Sequence, residues 1–462
     1  MLAILWIASQ GSVSNSDLLA PPSVGADTTV TVTAESQADP SKSASASVTV
    51  TAQTRVSIAQ ISIVGQPVMV WDHSQSPEQR FNGPDGPASA WREADGTVNL
   101  MINNVEAYRL RGPDLEHLTF DPNKIYSSIQ HDLRIPEDDY NFWHFLNGPY
   151  SVDGRNFYSL SHSEWYAALL NGDLVFDPVT HTFPVSAPVD NPYPRGVLFN
   201  SWTTTVNSFV SADGGASWQL NTVNGNHVVA KTAYHWTGTA ALASRAYRHA
   251  VLYTGLQQIT RMIKEGNYYY AMGNYYHRDW SQINPAAGQY QAPLDKNGII
   301  LIRTNDFTNP NGWEAWSGGN TYEAISNQNF KTFLPKRSGA PIDNGPTPNR
   351  YPGPAWNPSF VFDTNAQTYI LIFVCGTGHV CYMTTPSLAN PSWSDYTPIL
   401  GTATLITNPA GPVRGFRGNN YVSILDGSSR GFNFEFTNGK PLLFYTAGGN
   451  IWREQLSISY SH

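Results

Sequence analysis

Along residues 57 to 462 one local pattern recurs: a short apolar stretch, a turn built from Asp, Asn and Gly, then a stretch rich in Tyr. It occurs at 87–104, at 147–166 with 200–218, at 256–276 with 298–316, at 357–374 with 379–393, and at 421–447. Runs of this kind, bounded by turn formers, read as antiparallel strands. A single such hairpin cannot bury both of its faces, whereas sheets stacked around an axis can. The spacing between units is uneven, roughly 60 to 110 residues. It therefore predicts an all-β chain folded as a five-bladed propeller of four-stranded sheets. The segment 61–71 (ISIVGQPVMVW) is expected to supply the outer strand that closes the last blade. Long Pro-, Gly- and Asn-rich stretches at 166–198 and 317–356 are expected to be loops walling a central pocket.

Composition narrows the function classes. The chain has 14 Trp, 24 Tyr, 20 Phe, 37 Gly and 32 Pro, and only 13% charged residues. Many aromatics and turn formers with few charges fit an all-β protein. The net charge is −8, and the 27 Lys and Arg are scattered. Without a basic patch there is no footprint for phosphates, so nucleic acid is not an expected partner. No apolar run is long enough to span a bilayer, so no membrane partner is expected either. The expected state is a monomer.

The first 55 residues differ from the rest. Met1 to Ala8 is apolar but lacks a basic leader, which makes it a poor signal peptide. The stretches TTVTVTA and SASVTVTA alternate with period two and are rich in β-branched residues, so both read as strands. They resemble the C-terminal half of a bacterial immunoglobulin-like module of the kind that precedes extracellular carbohydrate-active domains. A whole sandwich of that class needs roughly seven strands in about 100 residues. The expectation is a partial, truncated immunoglobulin-like segment over 1–55 and a propeller catalytic domain over 56–462.

Ser211 to Trp218 reads S-x-D-x-G-x-x-W. Asp213 can accept hydrogen bonds from the backbone of a turn, Gly214 and Gly215 can take positive φ, and Trp218 can bury a large apolar face. The stretch resembles the Asp-box of sialidase-type β-propellers, a structural pin at the rim of a blade. The units PYSVDGRNFYSLSH (149–162) and FVFDTNAQTYILIF (360–373) are similar to those of the five-bladed propeller shared by arabinanases, xylosidases and invertases, the family 43/32-type glycoside hydrolases. That resemblance implies three carboxylates at the top of a funnel: a base Asp in blade one, an auxiliary Asp in blade two and an acid Glu in blade three. Asp85, just before the first inner strand, matches the base. Asn147 or Asp139 lies near the auxiliary position. The third is a departure, because the inner strand of blade three begins Thr254-Gly255-Leu256-Gln257-Gln258 and carries no carboxylate. Glu265 is at the wrong end of that strand.

Glu164 can stand in for the missing acid. It ends the second strand of blade two, which returns to the rim where inner strands begin. His162 and Glu164 alternate onto one face of that strand. With Trp165 and Tyr166 as aromatic surfaces for a sugar ring, they form a plausible rim for proton transfer. Arg261 and Arg303 lie in otherwise apolar or aromatic strands, where a charge must be paired or face a cavity. Each could clamp a uronate carboxylate or form a salt bridge between blades. Asp426 is either a turn residue or a pocket carboxylate. His144 and His235, flanked by aromatics, read as packing residues.

Three functional readings remain open. The first is a secreted bacterial glycoside hydrolase acting on polysaccharide or oligosaccharide through Asp85 and Glu164. The second is a lyase on uronate-containing glycans, using His162 or Tyr as base and Arg261 as clamp. The third is a glycan-binding propeller without catalysis. No metal-ligand spacing is evident. Some propellers of the resembled group hold a calcium or similar ion in the central channel, and coordination by His and water would leave no spacing signature. Cys375 and Cys381 flank turn material and are expected to pair across a hairpin in an oxidising compartment.

Overall fold

The computed structural model describes residues 4–8, 12–13, 19–20, 28–36, 38–39, 41–50, 56–76, 83–128, 143–166, 202–231, 253–278, 294–325, 330–333, 336–337, 340–341, 355–375, 379–402 and 421–461. Apart from one 3-10 turn at His73–Gln75, every described element is a strand. Two compact units result: Met1–Ala59 with Tyr460–His462, and Gln60–Ser459.

The first unit holds a three-stranded antiparallel sheet. Thr28–Ser36 lies in the middle, between Ser43–Val50 and Ile4–Ala8. Both alternating Thr/Val stretches are thus strands. The apolar start of the chain pairs with them, Trp6 opposite Ala34.

The second unit is an all-β propeller built of five successive antiparallel meanders. In sheet one the strands run inward in the order Thr119–Ser127, Glu106–Gly112, Val98–Ile102, Ser89–Arg92. Sheet two starts at Trp143–Tyr150, then Phe157–Tyr166 and Trp202–Ser211, edged by Gln219–Leu220 and Val228–Ala230. Sheet three comprises Tyr253–Gln257 and Ile263–Glu265, both paired to Tyr268–Arg278, then Leu294–Thr304, Glu314–Gly318 and Thr321–Ala324. A short parallel pairing, Trp202 opposite Tyr253, joins sheets two and three. Sheet four is Ala355–Asp363, Thr368–Cys375, His379–Thr385 and Thr397–Pro398, with Phe436–Thr437 added parallel to its inner strand. Sheet five is Val422–Leu425, Leu442–Ala447, Asn450–Ser461 and, outermost, Ser57–Trp71. The N-terminal strand thus completes the last sheet.

The sheets are held to one another by shared apolar cores. Trp91, Phe157, Phe209 and Trp218 join sheets one and two. Tyr150, Leu160, Tyr275 and Phe307 join two and three, and Tyr270, Leu301, Phe360 and Phe373 join three and four. Trp71, Leu100, Phe434 and Phe444 join five to one, which closes the ring. Between four and five, the Ile424 amide donates to Ser359 Oγ at 3.2 Å. Inner strands read as nearly unbroken buried runs because both of their faces are covered, as in Ser89–Arg92 and Val422–Leu425.

Turn chemistry fixes the corners. Asp213 accepts from the Ser217 amide at 2.9 Å and from the Ser211 and Ser217 hydroxyls at 2.7 Å each. Gly215 has φ +87°, and a Cβ there would lie 2.7 Å from Trp91 Cζ2. Trp91 Nε1 donates to Gly214 O at 2.9 Å, and its ring meets Trp218 edge-on, with centroids 6.5 Å apart. Ser151–Asn156 repeats this chemistry two strands earlier. Asp153 accepts from the Arg155 and Asn156 amides, and the Ser151 hydroxyl donates to it. These bonds hold the Asp153 carboxyl down at about 2 against the opposing effect of burial.

Cys375 and Cys381 are disulfide-bonded, with Cα atoms 5.8 Å apart. Two loop expectations need amendment. The stretch 317–356 opens as a hairpin, Trp316 opposite Tyr322, rather than as loop. The stretch 166–198 lies outside the described residues except for Tyr166, which ends a strand.

Candidate active site

The rim at which the inner strands begin gathers polar groups from four of the five sheets. Asp85 lies four residues before the inner strand of sheet one, and its amide donates to Asn103 O at 2.7 Å. Gly86 follows because there is no room for a side chain: a Cβ would lie 2.3 Å from Asn103 Nδ2. Asn103 in turn donates to Asn147 Oδ1 at 2.8 Å, linking sheets one and two.

Glu164 reaches the same rim from sheet two. It pairs in register with Trp143, the first residue of the inner strand. Alternation along Phe157–Tyr166 separates the two faces. Ser161 faces His144 Nδ1 at 3.2 Å, and Ser163 bonds the Thr205 hydroxyl at 2.7 Å. On the other face, His162 Nε2 lies 3.4 Å from Glu164 Oε1. The imidazole is 1% exposed and stacks on Phe145 at 4.7 Å with the planes 6° apart, which fixes the ring. From sheet three, Gln257 Nε2 donates to the same Glu164 oxygen at 3.3 Å. From sheet five, Tyr421 Oη donates to Asp85 Oδ1.

Asp85 senses Glu164. Burial first, and then the negative charge of Glu164, push Asp85 up to about 6. The bond from Tyr421 and the proximity of His162 act in the opposite direction. A carboxyl raised by burial and by a neighbouring negative charge holds its proton closer to neutral pH than a free one.

The opposite end of the axis is closed by Ser429–Glu435, which follows the inner strand of sheet five. Phe432 O accepts from the Arg92 amide, Asn433 Oδ1 from the Ser151 amide, and Glu435 Oε1 from the Lys264 amide. Glu435 O accepts from the Phe362 amide at 2.9 Å. One segment thus ties down the far ends of the other four inner strands. Glu435 is buried, and burial raises its pKa.

The remaining sequence candidates are not part of this cluster. Arg261 is buried and donates through Nη2 to Phe360 O and Ile424 O, so its guanidinium staples sheets three, four and five. Burial lowers it to about 10. Arg303 pairs with Glu314 at 2.7 Å and lies over the rings of Tyr268 and Tyr322, in an outer part of sheet three. Asp426 accepts from Thr437 Oγ1 at 2.5 Å and from the Ser428 and Asn438 amides, as a turn residue does. Glu265 accepts from Ser387 Oγ and the Leu388 amide, latching sheet three to sheet four. His144 is fully buried against Phe209. Trp165 and Tyr166 end the strand that carries Glu164, but their side chains, like Asp139 and His235, lie outside the described residues.

Tyr421 and Gln257 were not legible in advance. The one available signal for Tyr421 is positional, since it precedes an inner strand as Asp85 does. A calcium ion takes six to eight oxygens, usually including carboxylates. Among the described residues no three His, Cys, Asp or Glu side chains converge. Among them, no helix is long and apolar enough to cross a membrane.

No family model and no curated protein matches the chain. Solved structures do resemble it. The catalytic domain of a GH62 α-L-arabinofuranosidase from Coprinopsis cinerea aligns at 11% identity and TM-score 0.38, over 88% of this chain and 97% of that one. A family 117 glycoside hydrolase of Zobellia galactanivorans aligns at 7% identity and TM-score 0.39, over 86% and 90%. A Trypanosoma rangeli sialidase aligns at 8% identity and TM-score 0.35, over 85% and 59%. Scores at this level fix neither family nor activity.

Proposed function

We propose that the chain is a carbohydrate-active enzyme that hydrolyses glycosidic bonds in a polysaccharide or oligosaccharide, with Asp85 and Glu164 as its carboxyl pair. The observation that carries this reading is the effect on Asp85 of its surroundings: burial and the neighbouring Glu164 together hold it at about 6. Glycoside hydrolysis needs one carboxyl protonated, to donate to the leaving oxygen, and one ionised, to activate water or attack carbon. An Asp85 carboxyl held at about 6 can keep its proton closer to neutral pH than a free carboxyl does, as a donor to the leaving oxygen requires. His162 and Gln257 both approach Glu164 Oε1 and orient it. The disulfide between Cys375 and Cys381 supports residence in an oxidising compartment, hence secretion.

The lyase reading required Arg261 as a carboxylate clamp. The engagement of its Nη2 with two backbone carbonyls argues against that role.

The test is a screen of plant and microbial polysaccharides with product analysis, followed by Asp85→Asn and Glu164→Gln on any substrate found. Each variant is expected to lower kcat by a factor of at least about 10². An unsaturated uronate product would overturn hydrolysis. Binding without turnover would favour a glycan-binding propeller.

A further inference from the structure

We infer that Tyr421 is a positioning residue for Asp85: its phenol, delivered from sheet five, orients the carboxylate of sheet one and tunes its proton affinity. This deepens the hydrolase reading and rests on it for its catalytic meaning.

The geometry is specific. Tyr421 immediately precedes Val422–Leu425, and Asp85 precedes Ser89–Arg92, so both occupy the rim end of neighbouring inner strands. The residues are 336 positions apart, yet Tyr421 Oη donates to Asp85 Oδ1. Tyr421 is 9% exposed, and Val422 behind it is fully buried, so the ring is held by its strand. A residue needed only for packing would be served by Phe, since a buried hydroxyl without a partner is costly. Here the hydroxyl has a partner, and that partner is the carboxyl whose proton affinity burial and Glu164 both raise. A donor to the ionised form counteracts them. It also fixes one carboxylate oxygen in place and leaves the remaining lone pairs of the group for a water or a sugar hydroxyl.

The direction of the effect does not depend on whether Asp85 works as acid or base. Losing the phenol hydroxyl makes Asp85 a weaker acid. In Tyr421→Phe, the Asp85 carboxyl, followed by ¹³C NMR with Asp85→Asn as the assignment control, is expected to titrate about one pH unit higher. The limb of the pH profile of kcat/KM that Asp85 sets should move up equally, with KM little changed. Replacing Tyr421 by 3,5-difluorotyrosine, a stronger donor of nearly the same shape, should move both downward. That second variant keeps the test intact if Tyr421→Phe folds poorly. An Asp85 titration unmoved in both variants overturns the inference and leaves Tyr421 a packing residue. Should the titration move as expected while the parent turns over no glycan, the coupling stands and the hydrolase reading is what fails.

Discussion

Asp85 is where chemistry and stability meet. Its folded pKa of about 6 lies above the ordinary carboxylate value of 3.8. The folded state therefore binds the proton more tightly than the unfolded chain does. Its contribution to stability is fully present below about pH 4 and is lost as the pH rises through 6. Above that, the ionised side chain is a burden the fold carries for its site. Asp85→Asn is accordingly expected to be more stable than the parent at pH 8, by on the order of 2 kcal/mol, with the gain vanishing at pH 4. Urea unfolding of both proteins at the two pH values checks this. A variant less stable than the parent at pH 8 would mean that the carboxylate is not destabilised there. His162 and Glu164 were legible in the sequence because alternation along one strand dictates a shared face. Tyr421 and Gln257 were not, because their contacts join residues 336 and 93 positions apart in the chain. Arg261 was legible as a charge needing a partner, but strand patterning cannot tell a ligand from backbone carbonyls across three sheets.

At the scale of elements, the turns carry most of the specification. Ser151–Asn156 and Ser211–Trp218 place an Asp under a ring of turn amides, and each was readable from residue types alone. The second also places Gly215 against Trp91, with no space for a Cβ and a φ of +87°. Gly215→Ala is therefore expected to cost about 2–3 kcal/mol, from the positive φ together with overpacking of the buried indole. Differential scanning calorimetry would record this as a fall of several degrees in Tm, while kcat on any substrate stays near the parent value, because the turn is remote from Asp85. An unchanged Tm would show that the indole gives way freely. The closing strand Ser57–Trp71 was equally readable, since an isolated strand before the first meander has to complete some sheet. The hairpin at 314–324 was missed because its Gly-Gly-Asn turn was read as the start of a long loop.

For the whole molecule, the ring is what makes a site out of distant residues. Sheets five and one meet through Trp71, Phe434 and Phe444, and that junction brings Tyr421 to Asp85. Sheets two and three meet through Tyr150, Leu160 and Tyr275, and beside that junction Gln257 reaches Glu164. The floor segment Ser429–Glu435 holds the far ends of the strands in step. The carboxyl pair is a product of how sheets one and two stack, and its coupling reports on that junction directly. Carboxyl ¹³C NMR titration of Asp85 in the parent and in Glu164→Gln measures that coupling without any substrate. Asp85 is expected to titrate near 6 in the parent and clearly lower in Glu164→Gln, because removing the facing charge removes one of the two causes that raise it. An Asp85 that titrates near 4 in the parent, or one that Glu164→Gln leaves unmoved, would mean that the two carboxyls do not share a pocket.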